Sequence, residues 1–253
     1  MHQLRLFLIA LQFFTRIPIP AWVGFDAAWL NQAARYFPAV GWVVAAASGV
    51  VFYCSALLWS QGIAVLLAMV ASLLLTGAFH EDGFADMCDG FGGGYTAARI
   101  LEIMQDSRIG AYGAIGIQLV LFCKWLTLTS MPTSFVIPAL LLAHTFSRLA
   151  SSSLIWLLNY VRSEGKAKPL AQAMSHGEMA IAIGTVVLPA IALIVWTHLP
   201  IMKILFGLGL LSLSTIWLAK FYVKRIGGYT GDCLGAVQQV TELCVYLGLC
   251  SSI

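Results

Sequence analysis

Apolar segments long enough to cross a membrane dominate this sequence of 253 residues. About 20 apolar residues cross the hydrocarbon core of a bilayer as a helix. Six windows meet that requirement, at residues 38–59, 63–79, 110–130, 134–159, 179–198 and 201–219. A seventh window, residues 233–250, is apolar but contains Gln238, Gln239 and Glu242. We therefore predict an all-α, polytopic integral membrane protein, a helical bundle with about seven transmembrane helices.

The composition excludes several other classes of protein. Hydrophobic residues make up 60% of the chain and charged residues only 10%, whereas about a quarter of a soluble domain is charged. Too few polar side chains remain to cover a water-facing surface, and disordered chains have the opposite bias. A net charge of +3 excludes a strongly basic nucleic-acid binder. We predict a single membrane-embedded domain over residues 1–253, with residues 1–20 as an interfacial or short entry helix and the oligomeric state left open.

The distribution of Lys and Arg predicts the orientation of the chain, because these residues favour the cytoplasmic side of a membrane. With the N-terminus inside, only Lys203 falls outside, and Lys124 and Arg148 lie within spans. The other eleven fall on the cytoplasmic side: Arg5, Arg16, Arg35, Arg99, Arg108, Arg162, Lys166, Lys168, Lys220, Lys224 and Arg225. This topology places the N-terminus and the polar loops in the cytoplasm.

Carboxylates are concentrated in one short segment of the chain. Of the eleven acidic residues, six lie between positions 81 and 106. In a helix, Asp82, Asp86 and Asp89 stand on one face, and neighbouring carboxylates repel one another unless a cation lies between them. Mg²⁺ binds through one or two carboxylates plus substrate phosphates. We predict a Mg²⁺ site here, with a solvated acidic helix end as the alternative; His80 is interpreted as a ligand, a base or a structural side chain.

Two further polar segments accompany the carboxylates. The glycines at 92–94 permit backbone N–H groups to cradle phosphate oxygens. Arg108 is a bidentate donor suited to phosphate, and Asp106 supplies another metal ligand or orients Arg108. Residues 227–232 form a third polar island, also on the predicted cytoplasmic side. Carboxylates, glycines and arginines in these loops favour metal-assisted transfer of a phosphoryl-linked group, at an active site that faces the cytoplasm.

Ionisable residues within the predicted spans are a separate signal, because charge at membrane depth is costly. Arg148 and His144 are four residues apart and share a helix face. Arg148 is interpreted either as a helix-packing or snorkelling side chain, or as a residue that faces a polar cavity and receives an anion. The same alternatives apply to Glu242, and Lys124 is expected to be snorkelling or structural.

Four segments resemble a known family in the same order and at a similar length. They are residues 13–18 (Phe-Phe-Thr-Arg-Ile-Pro), 80–94, 104–113 and 227–235. The sequence resembles the cobalamin synthase family, whose members are adenosylcobinamide-GDP ribazoletransferases, also called cobalamin 5'-phosphate synthases. The resemblance covers nearly the whole chain.

The resemblance implies the final assembly of the cobalamin nucleotide loop in the bacterial cytoplasmic (inner) membrane. Adenosylcobinamide-GDP is joined to α-ribazole or α-ribazole 5'-phosphate, GMP is released, and Mg²⁺ is the cofactor. The candidate metal ligands are Asp82, Asp86, Asp89 and Asp106. The candidates for the general base are Asp89, Asp232 and His80. The substrate-binding candidates are Arg108, Ser107, Gly92, Gly93, Arg148, Thr230 and Arg16.

Two alternatives remain at this point. A membrane enzyme of the CDP-alcohol phosphotransferase type also uses clustered Asp and Gly residues with Mg²⁺. Its DG-xx-AR element is not matched here, because a single residue separates Gly83 from Ala85 and Asp86 follows directly. A cation transporter is less favoured, because transport sites lie near the bilayer midplane and these carboxylates collect at predicted helix ends.

Overall fold

The fold was determined from a computed structural model, which describes residues 1–24, 26–161 and 173–253. The helices of these parts of the chain are α1 (His2–Phe14), α2 (Ala27–Ala33), α3 (Phe37–Ala56), α4 (Gln61–Thr76), α5 (Phe79–Gly93), α6 (Ala97–Ile103), α7 (Ala111–Ser130), α8 (Thr133–Leu157), α9 (His176–Thr197), α10 (Ile201–Ile226) and α11 (Gly231–Cys250). The only β pairing within the described residues is an isolated bridge between Tyr160 and Tyr229. The predicted all-α fold is confirmed. Arg162, Lys166 and Lys168, three of the basic residues used for the orientation, lie outside the described residues.

The number of membrane-spanning helices agrees with the prediction. Within the described parts of the chain, six helical segments are long and apolar enough to cross a bilayer: Ala28–Ala56, Ala111–Ser130, Thr133–Leu157, His176–Thr197, Ile201–Ile226 and Gly231–Cys250. The pair α4 and α5 qualifies as a seventh span only when the two helices are taken together. The N-terminal helix α1 has 13 residues, about 20 Å at 1.5 Å per residue, which is too short to cross the hydrocarbon core.

The second span is broken where we predicted one apolar window over residues 63–79. Helix α4 ends before Gly77, which adopts a left-handed conformation with φ of 68°, a conformation that glycine adopts without steric cost. Helix α5 then leaves at an angle of 88° to α4. The acidic residues therefore do not continue the axis of the second span. They lie on a separate helix that turns across the end of the bundle.

Helix α11 lies at the centre of the bundle and packs against α5, α7, α8 and α10. Its contact with α10 depends on Gly207 and Gly248, since a Cβ atom on Gly248 would overlap the backbone of Gly207. Small residues allow this close approach, as they commonly do between membrane helices. Large apolar side chains instead cover the outer surface, including Phe122, Leu188 and Trp217, as a lipid-facing surface requires.

The polar loops come together at one end of the bundle. Tyr229, just before α11, exchanges backbone hydrogen bonds of 3.0 Å with Asn159 and Val161, just after α8. Arg225, in the last turn of α10, donates a 2.7 Å hydrogen bond to the carbonyl of Gly94, just after α5. The ends of α5, α8 and α10 and the start of α11 therefore share one face of the protein. That this face is the cytoplasmic one stays a prediction.

Candidate active site

Helix α5 presents its carboxylates along one stripe that runs from solvent into the protein. Asp82 is exposed, Asp86 is half-buried and Asp89 is buried. The three residues span about 10 Å along the helix axis at 1.5 Å per residue. The predicted common face is therefore present, but the three side chains lie in different surroundings.

The crossing of α5 and α11 brings a fourth carboxylate to this stripe. A Cβ atom on Gly83 would lie 3.0 Å from Cα of Asp232, and one on Gly235 would lie 3.0 Å from the carbonyl of His80. The two glycines thus allow the backbones to approach closely. Asp232, half-buried in the first turn of α11, consequently lies beside the segment that carries Asp82 and Asp86.

Asp89 is engaged with the first turn of α7. Its Oδ2 accepts a 2.7 Å hydrogen bond from the backbone N–H of Gly110, and its Oδ1 accepts one of 2.8 Å from Gly113. The first N–H groups of a helix have no partner within the helix, and the helix dipole favours a negative charge at that end. The structure therefore gives Asp89 a helix-capping function that the sequence spacing did not indicate.

Asp106 and Arg108 form an exposed ion pair. The guanidinium donates from Nε to Oδ1 at 3.0 Å and from Nη2 to Oδ2 at 2.7 Å. The hydrogen bonds from Arg108 lower the pKa of the Asp106 carboxyl to about 2. Of the two interpretations of Asp106, the structure favours the one in which it orients Arg108. The Arg108 side chain remains 88% exposed, so its outer edge is available to an anion.

A wide cleft of about 770 Å³ opens next to this ion pair. Arg99, Arg108 and Gly93 line it together with Asp89 and the ring of Tyr112. Its volume is within the range of about 300–1,000 Å³ that is usual for small-molecule sites. Each arginine is paired with a carboxylate that also lines the cleft, Arg99 with Glu102 and Arg108 with Asp106. The outer edges of the exposed guanidinium groups suit a phosphorylated ligand.

The glycine run is helical rather than a loop. Gly92 and Gly93 form the last turn of α5, where backbone N–H groups donate to carbonyls of the preceding turn. The expected phosphate cradle of N–H groups is therefore not formed by them. Gly92 has a packing reason instead, since its Cβ would lie 2.5 Å from Cγ of Tyr112.

The remaining substrate-binding candidates differ in their exposure to solvent. Ser107 is exposed beside Arg108, and the exposed Arg16 packs its Nε against Gly77 at the break before α5. Thr230 is fully buried and caps α11, where its Oγ1 accepts a 3.3 Å hydrogen bond from the N–H of Cys233. The structure thus gives Thr230 a capping function, and its contact with substrate stays a prediction.

A buried polar network inside the bundle explains the ionisable residues of the spans. Lys124 Nζ lies 2.9 Å from Glu242 Oε1, and both side chains are 5% exposed. Tyr246 and Gln238 also donate to the Glu242 carboxylate, at 3.0 and 2.6 Å. His144 Nδ1 lies 3.5 Å from it. Lys124 is therefore structural rather than snorkelling, and the polar residues of the seventh window have partners in the core.

The network continues to α5 through contacts that the sequence did not indicate. Gln239 accepts a 2.7 Å hydrogen bond from Lys124 and donates one of 2.8 Å to Glu81. Glu81 directly precedes Asp82, so this chain of contacts links the buried ion pair to the start of the acidic stripe. No spacing rule connects residues that are so far apart in sequence.

The carboxylates at this end of the bundle offer the oxygen donors that Mg²⁺ prefers. Among the residues that the structure describes, no three His, Cys, Asp or Glu side chains are arranged to hold a metal ion. Mg²⁺ usually keeps several waters and binds through one or two carboxylates plus substrate phosphates. Asp82 and Asp86, one helical turn apart, suit such a shared site. Asp89 and Asp106 have the other partners described above.

Comparison with known proteins gives a consistent family. The sequence profile of the cobalamin-5-phosphate synthase family matches residues 6–250. The adenosylcobinamide-GDP ribazoletransferase of Ralstonia pickettii is 48% identical, over 95% of this chain and 93% of its own length. That of Shewanella piezotolerans is 48% identical, over 97% of this chain and 95% of its own length. That of Shewanella frigidimarina is 44% identical, over 98% of this chain and 94% of its own length. No solved structure matches the chain significantly. The chain therefore belongs to the cobalamin-5-phosphate synthase family and is a transferase.

Proposed function

We propose that this transferase joins adenosylcobinamide-GDP to α-ribazole or α-ribazole 5'-phosphate and releases GMP, in the final assembly of the cobalamin nucleotide loop. The observation that carries the proposal is the family match over residues 6–250. That range includes every polar segment gathered at the α5 end of the bundle. Each relative named above is an adenosylcobinamide-GDP ribazoletransferase.

The chemistry is a substitution at phosphorus. A ribose hydroxyl of the ribazole substrate forms a new O–P bond to the phosphorus that is attached to the cobinamide side. The phosphoanhydride bond to GMP breaks, and GMP leaves with its electron pair. The hydroxyl proton passes to a carboxylate of the protein. Positioning and charge stabilisation contribute most to such transfers.

Magnesium is part of the proposal as the expected cofactor. When bound, it neutralises the diphosphate and stabilises the leaving oxygen. Asp82 and Asp86 are the residues that would hold it, because they are hard oxygen donors one turn apart on α5. The exposure of Asp82 allows a substrate phosphate to share the site.

The nucleotide is assigned to the cleft at the C-terminal end of α5. Arg99 and Arg108 lie at its rim, and guanidinium groups bind phosphate oxygens through two hydrogen bonds. Asp106 holds Arg108 in position through the hydrogen bonds described above. The cleft lies one to two turns along α5 from Asp86, so a diphosphate bound between them reaches both groups.

Asp232 is assigned as the group that accepts the proton. Its backbone lies against Gly83, between the two carboxylates assigned to the metal. Of the other candidates, Asp89 has both oxygens hydrogen-bonded to the start of α7. His80 is 5% exposed and stacks on the ring of Phe14. Neither arrangement favours proton transfer to a substrate hydroxyl.

Protein purified in detergent tests the reaction. With adenosylcobinamide-GDP, α-ribazole and Mg²⁺, we expect GMP and a new corrinoid to appear in equal amounts, and chelation of the metal to stop both. Parallel reactions with α-ribazole 5'-phosphate identify the preferred acceptor. Folded protein that produces neither product, or that acts instead on CDP-alcohols, would contradict the proposal.

We also propose that the active site faces the cytoplasm of the inner membrane, on the basis of the charge distribution. Single cysteines replace Ser107, in the loop before α7, and Ser60, before α4; both positions are exposed. Each variant is made in a protein whose native cysteines have been replaced. In intact spheroplasts that contain these variants, an impermeant maleimide should label Ser60→Cys and should not label Ser107→Cys. The reverse pattern would contradict the orientation.

A further inference from the structure

The three carboxylates that line the nucleotide cleft differ in how fully their oxygens are occupied. Both oxygens of Asp89 accept backbone N–H groups of α7, and both oxygens of Asp106 accept hydrogen bonds from the Arg108 side chain. Glu102 lines the same cleft, but its ion pair with Arg99 uses one oxygen, Oε2, which lies 2.8 Å from Nη1. An ionised carboxylate accepts up to about four hydrogen bonds. Glu102 therefore keeps more capacity to accept a donor from a ligand than the other two carboxylates.

An exposed aromatic ring lies in the same cleft. Tyr112 lines it and is 59% exposed. The ring contacts Gly92, whereas a Cβ atom on Gly93 would lie 3.4 Å from Cδ1 of Ile103. Because Ile103 directly follows Glu102, the ring and the carboxylate border adjacent residues at the end of α5. Aromatic rings stack on nucleobases, since every base has a π-face.

The ion pair between Glu102 and Arg99 has the polarity that guanine requires. The Watson–Crick edge of guanine carries two neighbouring donors, N1–H and N2–H, and then an acceptor, O6. A carboxylate accepts both donors, and a guanidinium beside it donates to O6. Glu102 and Arg99 present these groups three residues apart on α6, with side chains that are 67% and 58% exposed. Adenine has an acceptor at N1 and a donor at N6, which is the opposite order.

The position of the pair also suits the rest of the nucleotide. Gly93, which faces Ile103, lies about 10 Å along α5 from Asp86 at 1.5 Å per residue. A base bound at Glu102 leaves its ribose and diphosphate to extend along the cleft, past Arg108, towards the carboxylates assigned to the metal.

We propose that Glu102, held by Arg99, selects guanine as the base of the nucleotide substrate, and that Tyr112 stacks on this base. Glu102 accepts hydrogen bonds from N1–H and N2–H, Arg99 donates to O6, and Arg108 remains for the diphosphate. This inference rests on the proposed transferase function and adds the residues that determine which nucleotide is accepted.

Nucleoside diphosphates that differ in their base test the assignment. GDP, inosine diphosphate and ADP are titrated into the purified protein with Mg²⁺ present, and binding is measured by calorimetry. Inosine diphosphate lacks only the N2 amino group of GDP. We expect it to bind about tenfold more weakly than GDP, because one hydrogen bond to a charged group is lost. ADP should bind about 100-fold more weakly than GDP.

Two variants separate the contributions to base binding. Glu102→Gln keeps the size of the side chain but adds an NH₂ donor, which suits N1 of adenine. The preference for GDP over ADP should fall to less than about tenfold, with tighter binding of ADP, whereas a purely structural defect would weaken all three nucleotides alike. Tyr112→Leu should weaken all three by about tenfold and leave their ratios unchanged.

Asp26→Asn, which alters an exposed carboxylate at the start of α2, is the matched control and should bind the nucleotides as the wild type does. Thermal unfolding of each variant verifies that it is folded. The wild-type comparison of the three nucleotides stands by itself if a variant does not fold.

Failure of this inference and failure of the function are distinguishable. Equal binding of the three nucleotides, no binding of GDP, or an unchanged preference in Glu102→Gln would overturn the inference, while corrinoid product from the wild type leaves the function intact. Folded wild-type protein that prefers GDP but forms no corrinoid product would overturn the function alone.

Discussion

The ion pair between Lys124 and Glu242 gives the sharpest prediction about stability. Lys124→Met removes a charge that lies 2.9 Å from the Glu242 carboxylate, in a place where both side chains are 5% exposed. The variant leaves a buried carboxylate with its neutral donors Gln238 and Tyr246 and the more distant His144. Loss of one partner of a buried pair costs about 3–5 kcal/mol. We expect a decrease of that size in the free energy of unfolding.

The assay is reversible unfolding in mixed micelles of mild detergent and dodecyl sulfate, followed by tryptophan fluorescence. Lys220→Met, which removes an exposed charge from α10, is the control and should change the free energy by less than about 0.5 kcal/mol. Joining Glu242→Gln to Lys124→Met should recover about 1–3 kcal/mol relative to the sum of the single changes. Additive effects, or a Lys124→Met protein as stable as the wild type, would refute the reasoning.

Three further predictions concern packing, capping and pH. Gly248→Ala should lower the free energy of unfolding by about 1–3 kcal/mol, because its Cβ would overlap the facing helix. Gly209→Ala, with nothing within 4 Å of its Cβ, is the control and should be neutral or stabilising in the same assay. Equal losses of stability in the two variants would contradict this prediction. Asp89→Asn should cost about 1.5–3 kcal/mol by weakening the charged cap of α7, and unchanged protection of the α7 amides in hydrogen exchange would contradict it. The pKa of Asp106 is lowered from 3.8 to about 2, so its pairing with Arg108 is lost only as the pH falls through that lower value. From about pH 5 to 8, the KM for adenosylcobinamide-GDP should therefore not depend on ionisation of this carboxyl. A pH transition in this range that Asp106→Asn abolishes would contradict the assignment.

The membrane-spanning helices were predictable because long apolar runs have few other structures open to them. The helix end and the helix break that differ from the prediction depend on residues whose effect is set by their neighbours. The predicted window at 201–219 stopped before Lys220, but α10 continues to Ile226, since Lys220, Lys224 and Arg225 lie at its polar end. The apolar run through Gly77 gave no sign of the 88° break, which depends on two consecutive left-handed residues, Gly77 and Ala78.

The candidate site was predictable in its residue types more than in their individual functions. The stripe Asp82, Asp86 and Asp89 follows from helical periodicity. The capping by Asp89 depends on where α7 begins in space, which spacing does not specify. The sequence does not distinguish a glycine that allows an aromatic ring to approach, such as Gly92, from one whose N–H group binds phosphate. The contact of Gln239 with Glu81 joins distant segments and has no local pattern.

In the proposed function, transfer takes place at the crossing of α5 and α11 and requires the carboxylates of α5. The most direct measurement is the rate of GMP release from adenosylcobinamide-GDP and α-ribazole by Asp82→Asn and Asp86→Asn, over a range of Mg²⁺ concentrations. Asp26→Asn, which alters an exposed carboxylate at the start of α2, is the matched control.

Each α5 variant should be folded and should lose about 100-fold or more of the rate, because several kcal/mol of charge stabilisation depend on the carboxylates. More Mg²⁺ should be needed for half of the remaining activity, while Asp26→Asn should behave as the wild type. Wild-type rates and an unchanged requirement for Mg²⁺ in both α5 variants would contradict the account.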